Sequence, residues 1–217
     1  MVGKHIDLAT HVGFRPFAVM LAHDSQEYCL RRPAGSPILK QALVIIDMQM
    51  YSQDRVDGGR DHVHGDAIVK IAALAAKFRK DGEKVIHVHH GDPDPTSPMH
   101  PGAPAQRVMP GVEPLCEEPV FVKSTSSPFA STDLENYLRD NRIETLVVTG
   151  AVAGYCINTT VRVGSDLGFK MIVVRDAVMG FDLPDENLSA RVIFDVTMAH
   201  LKSDFADVVD SSEIMAA

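Results

Sequence analysis

Short runs of branched apolar residues recur along the chain, and helical patterns separate them. Such runs are typical of strands that are buried on both faces, as they are when helices cover both sides of a parallel sheet. The runs lie at residues 42–46, 84–89, 120–122, 145–149, 171–174 and 207–209. Their alternation with helices predicts an α/β fold: a three-layer α/β/α sandwich around a mainly parallel, doubly wound, Rossmann-like sheet.

Helical patterns fill four of the segments between these runs. They predict helices over residues 66–80, 132–141, 155–167 and 184–200. Thr132 and Glu135 have the spacing of a capping box at the start of the second helix. Gly168 follows the third helix in the position that favours a glycine. Pro184 is expected to begin the fourth helix, because proline is well tolerated in the first helical turn.

The chain divides into a first segment without periodicity and one domain. Residues 1–40 contain several chain breakers, among them Pro33, Gly35 and Pro37, just before the first predicted strand. We therefore expect an N-terminal extension or arm over residues 1–40 and a single domain over residues 41–217. Seven prolines between residues 91 and 118 predict a long loop within that domain.

Charge and cysteine content restrict the partners of the chain. Lysine and arginine total 21 and aspartate and glutamate total 29, a formal net charge of −8, which repels phosphate backbones and anionic lipids. We expect a small-molecule substrate, not a nucleic acid or a membrane. The three cysteines lack framework spacing, and no apolar run reaches membrane-spanning length. A cytoplasmic location is predicted.

Three reactive side chains follow predicted strands. Asp47 follows the first strand, Lys123 follows the strand at 120–122, and Cys156 begins the helix after the strand at 145–149. The carboxyl ends of parallel strands meet at one edge of the sheet, where ligands bind, so these side chains should lie together. A helix N-terminus stabilises a thiolate. Each residue alone is also typical of a structural role, but together they predict a cysteine-centred site.

The segments around these residues resemble a known family. The sequence IIDMQ contains Asp47, the sequence SPF follows Lys123 at residues 127–129, and the sequence VVTGAVAGYC ends at Cys156. In this order and spacing they resemble the isochorismatase-like cysteine hydrolases of the isochorismatase/nicotinamidase superfamily. The resemblance covers residues 41 to about 213, so it identifies residues 41–217 as the hydrolase domain.

The resemblance implies a mechanism and an assembly. Cys156 attacks a carbonyl, Asp47 is the general acid and base, and Lys123 orients the carboxylate. A cis peptide bond between Ala151 and Val152 turns the N–H groups of Val152 and Cys156 toward the oxyanion. The implied reaction is hydrolysis of a carbon–nitrogen bond in a small amide, ureide or carbamoyl compound, through a thioester and without a cofactor. A homo-oligomer, either a dimer or a tetramer, is also implied.

The sequence departs from the family around the substrate. Residues 48–52 read MQMYS, where many members have an Asn-Asp-Phe triplet. We expect the pocket to be lined by Gln49, Tyr51, Phe129 and Tyr155. The histidine pattern by which nicotinamidases bind a metal is not found, so nicotinamide is disfavoured. His87 and His89 lie on one strand face and His90 on the other, and no metal site is predicted.

Two other functions stay open. One is vinyl-ether hydrolysis of isochorismate, a reaction that does not need a thiol to protonate the ether. The other is a protein–protein interaction role in which the fold is kept without catalysis. The presence of Asp47, Lys123 and Cys156 together favours an enzyme over that role.

Overall fold

A computed structural model describes residues 40–217. The predicted extension over residues 1–40 lies outside these residues, except for Lys40. The strands are β1 (Lys40–Ile46), β2 (His62–Val63), β3 (Lys84–His90), β4 (Val120–Lys123), β5 (Ile143–Gly150), β6 (Lys170–Val178), β7 (Gly180–Phe181) and β8 (Asp207–Val209). The helices are α1 (Met50–Asp57), α2 (Ala67–Lys80), α3 (Pro128–Ser131), α4 (Leu134–Asp140), α5 (Asn158–Asp166), α6 (Ala190–Asp204) and α7 (Ser211–Ala216).

The central sheet has six strands in the order β4-β3-β1-β5-β6-β8, and every neighbouring pair is parallel. The chain runs outward from β1 through β3 to β4, then crosses back to β5 and continues through β6 to β8. The direction of winding therefore reverses beside β1, the position where doubly wound sheets bind ligands. The predicted fold class and all six predicted strands of this sheet are confirmed.

Helices cover both faces of the sheet, and the residues of β1 alternate between them. Ala42, Val44 and Ile46 belong to the core beneath α4, α5 and α6. Leu43 and Ile45 belong to a second core beneath α2. All five residues are at most 2% exposed, which is why the strand reads as one uninterrupted apolar run.

Two predicted helix starts are wrong. Pro184 begins only a short 3₁₀ turn, Pro184–Glu186, and Asn187 then adopts a left-handed φ of 54°, which interrupts the helical path. The helix α6 begins after Ser189, whose side chain accepts a hydrogen bond from the Val192 N–H. The capping box at Thr132 does not form, because α4 begins at Leu134 with Asp133 and not Thr132 as its N-cap, and Glu135 pairs with Arg139.

Four small features were not predicted from the sequence, and the short helix α3 is one of them. β2 and β7 form a two-stranded antiparallel ribbon, α1 follows β1 almost directly, and α7 is closed at its start by a capping box between Asp210 and Glu213. Of these, α1 supplies part of the wall of the site, and Arg60 and Leu183, which lie just before β2 and just after β7, supply another part.

Within residues 40–217, no helix is both long enough and apolar enough to cross a membrane.

Candidate active site

Asp47, Lys123 and Cys156 lie at the carboxyl edge of the sheet. Asp47 follows β1 and Lys123 is the last residue of β4. Cys156 lies in a π-helical turn, Ala153–Ile157, that follows β5 and leads into α5. The expectation that strand order brings these side chains together is confirmed, because Lys123 contacts both of the others.

Lys123 is the centre of the cluster. Its Nζ atom lies 2.7 Å from Asp47 Oδ2 and donates a hydrogen bond of 3.3 Å to Cys156 Sγ. A third contact, of 3.2 Å, joins Nζ to His90 Nδ1. One ion pair and two hydrogen bonds therefore surround the ammonium group. The Lys123 side chain has no exposed surface, and its position is therefore fixed.

The backbone brings Asp47 close to the loop that carries Cys156. Asp47 has a left-handed φ of 50°, and Gly150 has a φ of 117°. A Cβ atom at residue 150 would lie 2.0 Å from the Ile46 carbonyl oxygen, so only glycine fits there. The Ala151 N–H donates a 2.8 Å hydrogen bond to that same oxygen. The end of β1 and the loop after β5 are thus in direct contact.

The two carboxylate oxygens of Asp47 differ in their contacts. Oδ2 contacts Lys123, whereas Oδ1 is buried and has no hydrogen-bond partner among residues 40–217. A buried acceptor without a partner is costly and uncommon in structures, and it is typical of a group that meets a ligand or a mobile proton. Asp47 also borders the cavity described below.

The sequence-based expectation of a stabilised Cys156 thiolate is wrong. Burial, followed by the negative charge of Asp47, raises the pKa of the Cys156 thiol from 9.0 to about 12. The positive charge of Lys123 lowers the pKa, but by less. Cys156 therefore carries its proton near neutral pH, and it needs a base to take that proton as it reacts.

The loop between β5 and Cys156 leaves two backbone N–H groups near the thiol without a described acceptor. The peptide bond between Ala151 and Val152 is cis, which is the position that the family resemblance implies. Within the described part of the chain, the Val152 N–H donates no hydrogen bond. The Cys156 N–H belongs to the first turn of the helical segment, where N–H groups lack acceptors within the helix.

A cavity of about 610 Å³ opens beside Asp47 and Cys156. Three of the four predicted pocket residues, Gln49, Tyr51 and Tyr155, line it. Tyr51 and Tyr155 are 37% and 52% exposed, so their rings border the opening.

The prediction that Phe129 lines the pocket is wrong. Its ring stacks on Phe169 at a centroid distance of 5.8 Å and packs against the core on the α4, α5 and α6 side of the sheet. The short helix α3, which begins with Pro128, carries this ring away from the cavity.

Gln49 joins the site to the long proline-rich loop. Its Nε2 donates to the carbonyl oxygens of His90 and Gln106 at 3.0 and 2.7 Å, and its Oε1 accepts from the His90 N–H at 2.8 Å. The Met109 N–H also bonds the Met48 carbonyl. The side chain amide of Gln49 is fully engaged with backbone groups, so Gln49 shapes the cavity by holding its walls.

The same loop supplies another part of the wall, through Asp92, Ser97, Pro98 and Met99. At its far end, Glu118 holds the loop against the sheet. The Glu118 carboxylate accepts from Arg79, from His87 Nε2 and from the Leu115 N–H at 2.7 to 2.9 Å. The predicted long loop is confirmed, and it is anchored at both ends.

The histidines do not form a common ligand set. The rings of His87 and His89 are neighbours, with centroids 6.2 Å apart, whereas His90 borders the cavity. Within residues 40–217, no three histidine, cysteine, aspartate or glutamate side chains converge as metal ligands. Metal independence stays a prediction. Burial and the charge of Lys123 lower the pKa of His90, which suits its role as an acceptor from Lys123.

Sequence reasoning missed Arg55, Arg60 and His90, all of which line the cavity. Arg55 follows Tyr51 by four residues, so the two share one face of α1. That spacing was the available signal for Arg55. Arg60 depends on the ribbon of β2 and β7, because it pairs with Asp182 just after β7, and no local pattern in the sequence indicates this pairing.

The doubly wound sheet and the cavity beside a thiol, a carboxylate and an ammonium group define an α/β protein with a ligand site at its topological switch point. A family model, the isochorismatase domain, matches residues 41–211. The uncharacterized isochorismatase family protein YrdC of Bacillus subtilis is 31% identical over 179 residues, which are 81% of this chain and 95% of that protein. The chain therefore belongs to the isochorismatase family of hydrolases.

Two further similarities extend this assignment. A crystal structure of an isochorismatase-family protein from Chromobacterium violaceum has a TM-score of 0.78 and 32% identity, and the match covers 87% of this chain and 98% of that one. N-carbamoylsarcosine amidase of an Arthrobacter species is 40% identical over 67 residues, which are 31% of this chain and 25% of that enzyme.

Proposed function

We propose that the protein hydrolyses a carbon–nitrogen bond in a small amide, ureide or carbamoyl compound, through a thioester on Cys156. The observation that carries the proposal is the pair of contacts from Lys123 Nζ, 2.7 Å to Asp47 Oδ2 and 3.3 Å to Cys156 Sγ. These contacts hold a base and a nucleophile together in the wall of a cavity large enough for a small molecule.

In the first half of the reaction, Cys156 Sγ attacks the carbonyl carbon while Asp47 Oδ1 takes the thiol proton. The negative charge that develops on the carbonyl oxygen is stabilised by the N–H groups of Val152 and Cys156. Asp47 then gives the proton to the leaving nitrogen, the carbon–nitrogen bond breaks, and ammonia or an amine departs. The thiol pKa of about 12 supports this order, because proton removal must accompany the attack.

In the second half, water attacks the thioester carbon. Asp47 takes a proton from the water, and the carbon–sulfur bond breaks. Cys156 recovers its proton from Asp47, and the acid product leaves. Lys123 keeps the Asp47 carboxylate in place throughout, because it is fixed by three contacts and has no exposed surface.

The similarity to N-carbamoylsarcosine amidase supports this reaction class. That enzyme is named for the cleavage of an amide-type bond, and it is 40% identical in sequence to this chain over the 67 matched residues. The chain also lacks the nicotinamidase histidine pattern, so the proposal leaves out nicotinamide.

An ammonia-release screen over small amides and ureides tests the proposal. Cys156→Ala should lose activity by at least about 10³-fold, because the nucleophile is gone. Cys116→Ala is the matched control, since Cys116 is an exposed free thiol away from the cavity, and it should keep the full rate. The quenched wild-type reaction should show an acyl group on the Cys156 peptide by mass spectrometry.

Two outcomes would contradict the proposal. Turnover by Cys156→Ala equal to wild type would remove the thioester step. Release of pyruvate from isochorismate at equal rates by both proteins would instead support vinyl-ether hydrolysis.

A further inference from the structure

Arg55 brings a positive charge into the cavity that contains Cys156. It lies on α1, and Tyr51, Ser52 and Arg55 line the cavity from the same helix face. The helix begins at Met50, three residues after Asp47. The chain segment just after β1 therefore provides both the proposed general base, Asp47, and a cation, Arg55, to the wall of the same cavity.

The Arg55 guanidinium is held by aromatic rings. Its Cζ atom lies 4.4 Å from the ring centroid of Phe181 and 5.6 Å from that of Tyr51. Phe181 is 4% exposed, so it forms a fixed support. Stacking engages the face of the guanidinium plane, whereas the N–H donors point outward within the plane. Among residues 40–217, Arg55 has no ion-pair partner, and its side chain donates no hydrogen bond.

The other charges in the cavity wall are already engaged. Arg60 pairs with the Asp182 carboxylate and also donates to the Asp182 carbonyl at 3.1 Å. Asp47 pairs with Lys123. Asp92 accepts the Asp94 N–H at 3.0 Å within the proline-rich loop. Arg55 is therefore the cation of this wall that no described carboxylate neutralises, because Arg60, the other one, pairs with Asp182.

We propose that Arg55 binds a carboxylate of the substrate, which makes the substrate an amide, ureide or carbamoyl compound with a carboxylate remote from the bond that is cleaved. This inference rests on the proposed hydrolysis at Cys156. A guanidinium binds a carboxylate through two parallel hydrogen bonds, and Arg55 lines the cavity with its ring contacts already made. Anchoring one end of the substrate would orient its carbonyl toward Cys156.

Matched substrates test the role of Arg55. The panel consists of short acids that end in an amide, such as succinamate, and N-carbamoyl amino acids, each beside its uncharged methyl ester. For wild type, kcat/KM for the acid should exceed that for the ester by about 10- to 100-fold, the range for charge-assisted hydrogen bonds. Arg55→Gln should lose this preference, so that its kcat/KM for the acid falls to about the value for the ester.

Arg162→Gln is the matched control. Arg162 also stacks on an aromatic ring, that of Phe205 at 4.3 Å, but it lies outside the cavity. This variant should keep the wild-type preference for the acid. Arg55→Lys keeps the positive charge but cannot form the bidentate hydrogen bonds, so its preference for the acid should lie between those of wild type and Arg55→Gln.

A binding measurement separates this inference from the hydrolysis on which it rests. Calorimetry on Cys156→Ala should show that the acids bind about 10- to 100-fold more tightly than their esters, and that adding Arg55→Gln removes the difference. Binding that depends on Arg55, without ammonia release by wild type, would overturn the hydrolysis and keep the carboxylate site. Equal rates and equal binding for acids and esters across the panel would overturn the carboxylate site.

Discussion

Lys123 is a buried cation whose removal should affect both stability and activity. In Lys123→Met the Asp47 carboxylate stays buried without its partner, so we expect the free energy of unfolding to fall by about 3–5 kcal/mol. Urea unfolding measures this change. Lys170→Met is the control, because Lys170 and Asp207 form an exposed pair at 3.4 Å that contributes about 0–1 kcal/mol.

A double variant distinguishes the charge from the packing. Asp47→Asn combined with Lys123→Met removes both buried charges, and it should regain part of the stability that Lys123→Met loses. If the double variant is less stable than Lys123→Met, the buried pair is not the source of the loss. Neither variant should hydrolyse substrate.

The protonated state of Cys156 predicts slow labelling of this thiol. Iodoacetamide reacts with thiolates, so the labelling rate of the Cys156 peptide should still rise with pH above 9, because the pKa of this thiol is about 12. In Asp47→Asn the neighbouring negative charge is gone, and the midpoint should fall by about one pH unit or more. Peptide mass spectrometry measures both rates, and the exposed Cys116 provides an internal reference.

The opposite result would be equally clear. A wild-type midpoint at or below the ordinary thiol value would show that burial and Asp47 do not control the protonation of Cys156.

At the scale of elements, Glu118 anchors the proline-rich loop, and its contribution should depend on pH. Burial alone would raise the pKa of Glu118, but hydrogen bonds from Arg79, the Leu115 N–H and His87 lower it from 4.5 to about 2. A lowered carboxylate pKa adds stability above the unfolded value of 4.5, and that stability is lost as the pH falls toward 2.

Glu118→Gln measures this contribution. The variant should be less stable than wild type by about 1–3 kcal/mol at pH 7, and the difference should shrink as the pH falls from 4.5. Glu117→Gln is the neighbouring control, because Glu117 is exposed and no bond is expected to be lost. A difference between wild type and Glu118→Gln that is the same at pH 7 and pH 3 would contradict the ionic role.

Elements with a full turn of periodicity or an apolar run were predictable, and those that depend on distant partners were not. β1 is one apolar run because both of its faces are buried, and α2 has helical periodicity because one of its faces is buried, so both patterns are local. The ribbon of β2 and β7 pairs His62 with Phe181 across more than a hundred residues, and no local pattern specifies such a pairing. The wrong start of α6 has a similar origin, because Asn187 and not Pro184 decides where the turn ends.

The features of the candidate active site also divide into those that the sequence predicts and those that depend on distant parts of the fold. Asp47, Lys123 and Cys156 were predictable because strand ends converge in any parallel sheet. The protonation of Cys156 was not, since it depends on how deeply the thiol is buried and on its distance from Asp47. Phe129 was misplaced for a related reason: the short helix α3 determines which way its ring points.

At the scale of the whole molecule, we expect catalysis without a metal. The nucleophile and the base are supplied by the chain, so dialysis against a strong chelator should leave the rate of ammonia release unchanged. Mass spectrometry of the purified protein gives the metal content independently. Loss of activity on dialysis, with recovery on addition of zinc or iron, would show that the histidines act as ligands.

Assembly into a dimer or tetramer stays a prediction of the family resemblance, and light scattering on the purified protein measures it.

The proline-rich loop has a fixed part and a variable part. Gln106 and Met109 are tied to the segment just after Asp47 by hydrogen bonds of 2.7 and 2.9 Å. Residues 97–99 border the cavity, and they lie apart from these ties. Residues 97–99 can therefore be replaced together, because the hydrogen bonds that hold the loop to Met48 and Gln49 involve other residues of the loop. A library confined to these residues would search for new substrates while the catalytic cluster stays as it is.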